Sequence, residues 1–205
     1  MLKVALTGNI AAGKSTVVRR WRAEGALVIE SDELARKAVE PGTSALERIR
    51  KRWGPGVLLP DGSLDRAAMR DLVFRDRTER MALEEIIHPE VRRLRAESFG
   101  AAEADRVPIA VADIPLLFET GLEKEFDVVV LVDAPARARL RRLTDDRHLS
   151  EEEATRMIAA QWPAREKRAK VDFIIDNGGS IWALEARAEE VWAELVRRAE
   201  TGSAG

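Results

Sequence analysis

The sequence predicts an α/β protein, with a five-stranded parallel sheet flanked by helices. Three observations point to it. Short apolar runs rich in β-branched residues recur along the chain. Long charged stretches with helical spacing separate them. A glycine-rich turn joins the first apolar run to the first helical stretch. Strands buried on both faces are apolar almost continuously, and parallel neighbours need crossovers, usually helical. The expected strands are residues 2–6, 26–29, 107–112, 128–132 and 173–175. Right-handed crossovers follow from strand twist.

The helices are punctuated by polar caps. Thr43 or Ser44 opens one that runs to Arg52. Pro60-Asp61-Gly62-Ser63 is a turn. Helical patterns then cover about 65–74, 78–87 and 89–104, with His88-Pro89 between the last two. Ser150 with Glu153 three residues on forms a capping box for a helix through about Gln161, and Pro163 breaks it. Ser180 caps a final helix, 181 to about 199, and residues 201–205 read as a frayed tail. Residues 30–106 hold far more chain than a crossover needs, so a helical insertion is expected at about 43–105. Insertions between sheet strands often carry substrate recognition.

Composition narrows the chemistry. A chain of 205 residues with 45% hydrophobic residues can bury a core and is not disordered. Its formal net charge of −2 supplies no global field for nucleic acid or an anionic membrane, so neither is expected as a partner. With no cysteine, disulfides, thiolate metal sites and cysteine nucleophiles are excluded. The longest aliphatic run, residues 128–132, is too short to span a bilayer, and no signal peptide is visible at the N-terminus. A cytoplasmic protein, monomeric or weakly homo-oligomeric, is the expectation.

The strongest signal is Gly8-Asn9-Ile10-Ala11-Ala12-Gly13-Lys14-Ser15, which fits G-x-x-x-x-G-K-[ST] between a strand and a helix. Such a match arises by chance in roughly one chain per hundred of this length, and the strand-before, helix-after context cuts that further. A tight loop turns backbone N–H groups of Ala11, Ala12 and Gly13 inward, and the helix N-terminus adds a positive dipole end. Phosphate oxygens are thus bound by main chain. Lys14 reaches the β- and γ-phosphates, the Ser15 hydroxyl ligates Mg²⁺, and Thr16 adds a contact to the α-phosphate. ATP with Mg²⁺ is the expected nucleotide. A regulatory GTPase would need N-K-x-D after a strand, and none is present. Small size, the helical insertion and the late arginines favour a small-molecule kinase. Another nucleoside or nucleotide kinase of this class, and a nucleotide-gated interaction module, are the alternatives.

Several further motifs, in order, resemble the dephospho-coenzyme A kinase family over residues 4–179. They are Ala5-Leu6-Thr7-Gly8 before the loop, Ile29-Glu30-Ser31-Asp32, Leu34-Ala35-Arg36, Val39-Glu40-Pro41-Gly42, His88-Pro89, Asp113-Ile114-Pro115-Leu116-Leu117-Phe118-Glu119, and Ile175-Asp176-Asn177-Gly178. The resemblance implies transfer of the ATP γ-phosphoryl group to the ribose 3′-hydroxyl of dephospho-CoA, giving CoA and ADP. It implies a helical CoA-binding region and a mobile lid, here about 137–168.

Roles follow residue by residue. Asp32 lies just past the second expected strand, where a carboxylate can accept or orient a hydroxyl proton. It matches the family's catalytic aspartate; its bland alternative is a helix N-cap. Glu30 falls where the family often has another acid. Asp113 ends the third strand and could hold Mg²⁺ through water or orient the acceptor. The resemblance puts Leu116, Leu117 and Phe118 on the CoA side, though plain packing also explains them, and Glu119 reads as a solvated helix start. Arg137, Arg139, Arg141, Arg142 and Arg147 read mostly as a charged helix face. Arg142 matches a lid arginine that binds nucleotide. Arg147 would serve only with a one-residue slip, because Asp146-Arg147 inverts the family's order. Arg165 is a second lid candidate. Asn177 matches an adenine-side turn, or is simply a strand-to-helix turn. His88 is a helix-end hydrogen-bonding group or an acceptor-side contact. Trp162 is a possible base-stacking group. In the loop, Asn9 and Ala11 stand where glycine is common in the family; asparagine tolerates left-handed backbone better than most residues, and alanine is small.

Overall fold

The computed structural model describes residues 1–202. The predicted frayed tail falls partly outside them: Thr201 and Gly202 still belong to the last helix, and 203–205 lie beyond the described residues.

Five strands make the sheet: β1 (Leu2–Gly8), β2 (Leu27–Glu30), β3 (Ile109–Asp113), β4 (Val128–Asp133) and β5 (Phe173–Asp176), in the order β2-β3-β1-β4-β5. β1 lies parallel to β3 on one side and β4 on the other, and β4 to β5. The third strand starts two residues later than expected and takes in Asp113; the Pro108 carbonyl still accepts the Leu2 N–H. Register brings Leu6 beside Asp113, Gly8 beside Val132 and Asp133 beside Asp176. Three carboxylates and the glycine turn therefore crowd the carboxyl ends of adjacent strands, where ligands bind in open α/β sheets.

The chain divides into two compact units, Met1–Ile29 with the chain from Ala101 onward, and Glu30–Gly100. In the first unit, α1 (Lys14–Ala23) packs against α9 (Ile181–Gly202). Val17, Val18 and Trp21 on α1 meet Leu184, Ala188, Val191 and Leu195 on α9, over the apolar faces of β1, β3 and β4. Trp21 is wholly buried; its Nε1 donates to the Ala188 carbonyl at 2.9 Å, and its ring lies 5.8 Å from that of Trp192. A buried indole needs that acceptor. Three further helices of this unit are α6 (Ala136–Asp145), α7 (Glu151–Ala159) and α8 (Ala164–Arg168). The Ser150–Glu153 capping box forms as the spacing predicts. α7 stops at Ala159, so Gln161 lies in the bend before Pro163 rather than in the helix.

The second unit is helical: α2 (Ser31–Lys37), α3 (Ser44–Trp53), α4 (Arg66–Arg75) and most of α5 (Arg77–Ala104). Thr43 and Asp65 cap α3 and α4 with side-chain oxygens. Val39, Leu46, Ile49, Val57, Met69 and Ile86 form its own core. Here the sequence expectation fails once. Two helices separated at His88-Pro89 were expected, but α5 runs through Pro89 without a break. Proline removes one N–H and crowds the carbonyl of the previous turn. Ile86 on one side of Pro89 and Phe99 on the other are both buried, and that burial is available to offset the lost bond.

Trp21→Ala should lower the stability of the first unit by about 3–5 kcal/mol, the range for truncating a buried aromatic. Denaturant unfolding followed by circular dichroism measures it.

Candidate active site

The turn after β1 is shaped by two glycines. A Cβ on Gly8 would meet the Val132 carbonyl oxygen at 2.5 Å, so only glycine lets the strand end approach β4 this closely. Gly13 has φ +101°, and a Cβ there would meet Asn177 Nδ2 at 2.2 Å. The residue between them that takes the left-handed conformation is Ala11, φ 57°, and not Asn9. An L-residue held there costs about 1 kcal/mol, so neighbouring contacts must hold it. Two such contacts exist. Arg142 donates from Nη1 to the Ala11 carbonyl at 2.9 Å and from Nη2 to the Asn177 carbonyl at 3.2 Å. Asn177 Nδ2 donates to the Ala12 carbonyl at 2.8 Å. The carbonyls of Ala11 and Ala12 are thereby engaged by side-chain donors.

The loop N–H groups divide accordingly. Ile10 donates to Gln161 Oε1 at 2.7 Å, and Ala12 donates to the Asn9 carbonyl at 3.0 Å. Gly13, Lys14 and Ser15 lie at the N-terminus of α1, where N–H groups have no intrahelical acceptor and the dipole end is positive. These are the donors suited to phosphate oxygens. Lys14 Nζ sits 2.6 Å from Asp113 Oδ1, with both side chains mostly buried. An ammonium has three donors, so Lys14 can keep Asp113 and still meet phosphate oxygens. Ser15 is exposed on the first turn of α1.

The arginine-rich stretch sorts into different jobs. Arg137, Arg141 and Arg147 are exposed, as a charged helix face requires. Arg142 braces the loop from outside through carbonyls. Arg139 is buried, its Nε on the Ala134 carbonyl at 3.1 Å; desolvation pulls its guanidinium below the usual range, against the attraction of Asp133. Arg168 spans Asp133 (2.8 Å) and Asp176 (2.6 Å) at the tips of β4 and β5, and both carboxylates hold it above its usual range. The sequence reading missed Arg168, which sits in a charge run that reads as a solvated face. Arg165 is exposed.

In the segment after β3, Leu117 and Phe118 are buried and pack, whereas Leu116 is 46% exposed. Glu119 is not the solvated helix start expected of it: Oε1 accepts from Lys167 Nζ at 2.8 Å and from the Trp162 N–H at 3.1 Å. Its surroundings come from residues more than forty positions away, so no local pattern shows them. Trp162 stacks on Phe118, centroids 6.4 Å apart at 10°.

In the helical unit, Asp32 is exposed in the first turn of α2, and the N-cap position belongs to Glu30, so capping does not explain Asp32. His88 is exposed within α5 rather than at a helix end. Among the described residues no group of three or more His, Cys, Asp or Glu could hold a metal, and no helix is long and apolar enough to cross a membrane.

A glycine-bounded turn with a lysine at the head of α1, at the carboxyl end of a five-stranded parallel sheet, defines a P-loop protein, and the comparisons narrow it to a kinase. The dephospho-CoA kinase family model matches residues 2–182. The chain belongs to the dephospho-CoA kinase family. It is 46% identical to a dephospho-CoA kinase of Thermobifida fusca, over 97% of this chain and 98% of that protein. Among solved structures it resembles TT1252 of Thermus thermophilus (TM-score 0.79, 39% identity, covering 95% of this chain and 97% of that one). It also resembles a dephospho-CoA kinase from Campylobacter jejuni (TM-score 0.69, 26% identity, covering 94% and 96%).

Gly13→Ala should weaken ATP binding by at least about tenfold, because the left-handed backbone and the Asn177 contact both resist a Cβ. Calorimetric titration of nucleotide into the folded variant checks this.

Proposed function

We propose that the protein transfers the γ-phosphoryl group of ATP to the ribose 3′-hydroxyl of dephospho-CoA, releasing CoA and ADP, in the cytoplasm. The observation that carries this reading is the phosphate loop with Lys14 held against Asp113, in a chain of this family. The N–H groups of Gly13, Lys14 and Ser15 hold the phosphates, and Lys14 neutralises charge that grows on the transferring group. Arg142 and Asn177 keep the loop carbonyls turned away, with Asn177 beside the adenine side.

Asp32 receives the proton of the attacking hydroxyl. Its support is its place two residues past β2 and its match to the family's catalytic aspartate. Leu116 offers the exposed apolar surface of the acceptor-side segment. Asp113, Leu117 and Phe118 act there by shaping it. The helical region 43–105, with His88, is proposed as the CoA-binding part, and 137–168 as the lid, which moves between ends held at Arg142 and at Gln161–Lys167. Arg147 and Arg165 are exposed cations on that lid, suited to phosphate when it closes.

The donor set fits Mg²⁺: one serine hydroxyl and one nearby strand-end carboxylate are hard oxygens, and magnesium in such sites takes few protein ligands beside phosphate and water. Ser15 would hold it, with Asp113 reaching it through water. Bound there, the ion would neutralise phosphate charge and polarise the γ-phosphoryl group.

Purified protein with Mg·ATP should release ADP on addition of dephospho-CoA and far less with nucleoside monophosphates or with no acceptor. Preference for a nucleoside monophosphate would replace this acceptor with another. Lys14→Ala should lower kcat by about a hundredfold or more. Asp32→Asn should lower kcat by about a hundredfold while ATP binding stays within a few-fold. Wild-type turnover by Asp32→Asn would remove that residue from proton transfer.

A further inference from the structure

Gln161, Glu119 and Lys167 have no part in the mechanism above, yet Gln161 touches the loop, and Glu119 and Lys167 lie one contact behind it through Trp162. Gln161 Oε1 takes the Ile10 N–H at 2.7 Å, and one residue on, the Trp162 carbonyl accepts from Asn9 Nδ2 at 3.2 Å. The bend carrying both groups is itself pinned. The Trp162 N–H is on Glu119, its ring is stacked on Phe118, and Glu119 also holds Lys167, whose side chain is wholly buried. A buried ammonium with a single carboxylate partner is a stiff anchor, because removing either partner leaves an uncompensated charge.

Asn9 and Ile10 form the leading half of the loop. They enter the left-handed residue Ala11, and the phosphate donors follow. A rotation at Ile10 therefore re-aims the peptide planes that grip phosphate, and preorganised donors lose much of their value when misplaced by an ångström. Loop amides need acceptors. Here the acceptor for Ile10 comes from a segment tied to the one that ends β3.

We propose that Gln161 is a positioning residue for phosphoryl transfer. It holds the leading half of the phosphate loop through the Ile10 amide, and it is itself located by the Glu119–Lys167 pair and the Phe118–Trp162 stack. The segment after β3 and the loop then move as one body, so an acceptor resting on the exposed Leu116 steadies the γ-phosphate site. This rests on the kinase reading above.

The test uses the full chain without nucleotide, following Ile10 amide hydrogen exchange by NMR, beside steady-state kinetics. Gln161→Leu should speed Ile10 exchange on the order of tenfold, the cost of one lost hydrogen bond. It should also lower kcat about ten- to a hundredfold with the ATP dissociation constant within about threefold. Gln161→Glu, which keeps an acceptor at the same reach, should restore slow exchange. Glu119→Leu, which removes the acceptor of the Trp162 N–H without touching Ile10, should also speed Ile10 exchange; if that variant does not fold, Phe118→Leu, which removes the ring stack, takes its place. Unchanged Ile10 exchange in Gln161→Leu overturns the proposal, whatever kcat does. Unchanged exchange in the folded anchor variant overturns the anchoring half. Faster exchange with unchanged kcat overturns the positioning role. If the wild-type protein shows no turnover with dephospho-CoA, the kinase reading fails, and the exchange arm still reports whether Gln161 holds the loop.

Discussion

The site depends on one constraint: a short turn of main chain must present its N–H groups to an anion while its carbonyls face away. Left to itself a peptide turn offers both. In this protein the carbonyls of Ala11 and Ala12 are claimed by Arg142 and Asn177, and the N–H of Ile10 by Gln161. What remains, at the head of α1, is a cluster of donors in the field of a helix N-terminus. Gly8 and Gly13 are needed because neighbouring backbone and the Asn177 amide leave no room for a Cβ.

That constraint explains why residues with no chemistry of their own matter. Arg142 is a cation at the site but directs two hydrogen bonds to carbonyl oxygens, so its first effect is on loop shape. Asp113 does the same for Lys14, fixing an otherwise flexible ammonium beside the loop. Arg168 ties Asp133 to Asp176 and offsets carboxylate charge at the same edge of the sheet. Acidic groups at an anion site are tolerable only when each is paired, and these are.

Much of the fold was legible locally. The apolar runs located all five strands within about two residues, which is the usual uncertainty of element ends. Capping residues Thr43, Ser150 and Ser180 sat where side-chain spacing put them. The phosphate loop announced itself because its geometry demands particular residues at fixed spacing. Legibility failed at Pro89, where local propensity predicted a break and tertiary packing overrode it. It failed too at Glu119, Gln161 and Lys167, whose residue types are ordinary on any exposed helix.

The sequence by itself determined the fold class and the strand–loop–helix of the phosphate-loop motif, because these rest on periodicity and spacing within short stretches of chain, and its ordered motifs carried the resemblance to the family. Only the tertiary structure decided which of many arginines, acids and amides brace that loop. Those contacts join residues up to 165 positions apart, and a charge run on a solvated face reads the same as one holding a buried partner. Burial and distance are properties of the folded chain, and one-dimensional pattern carries neither.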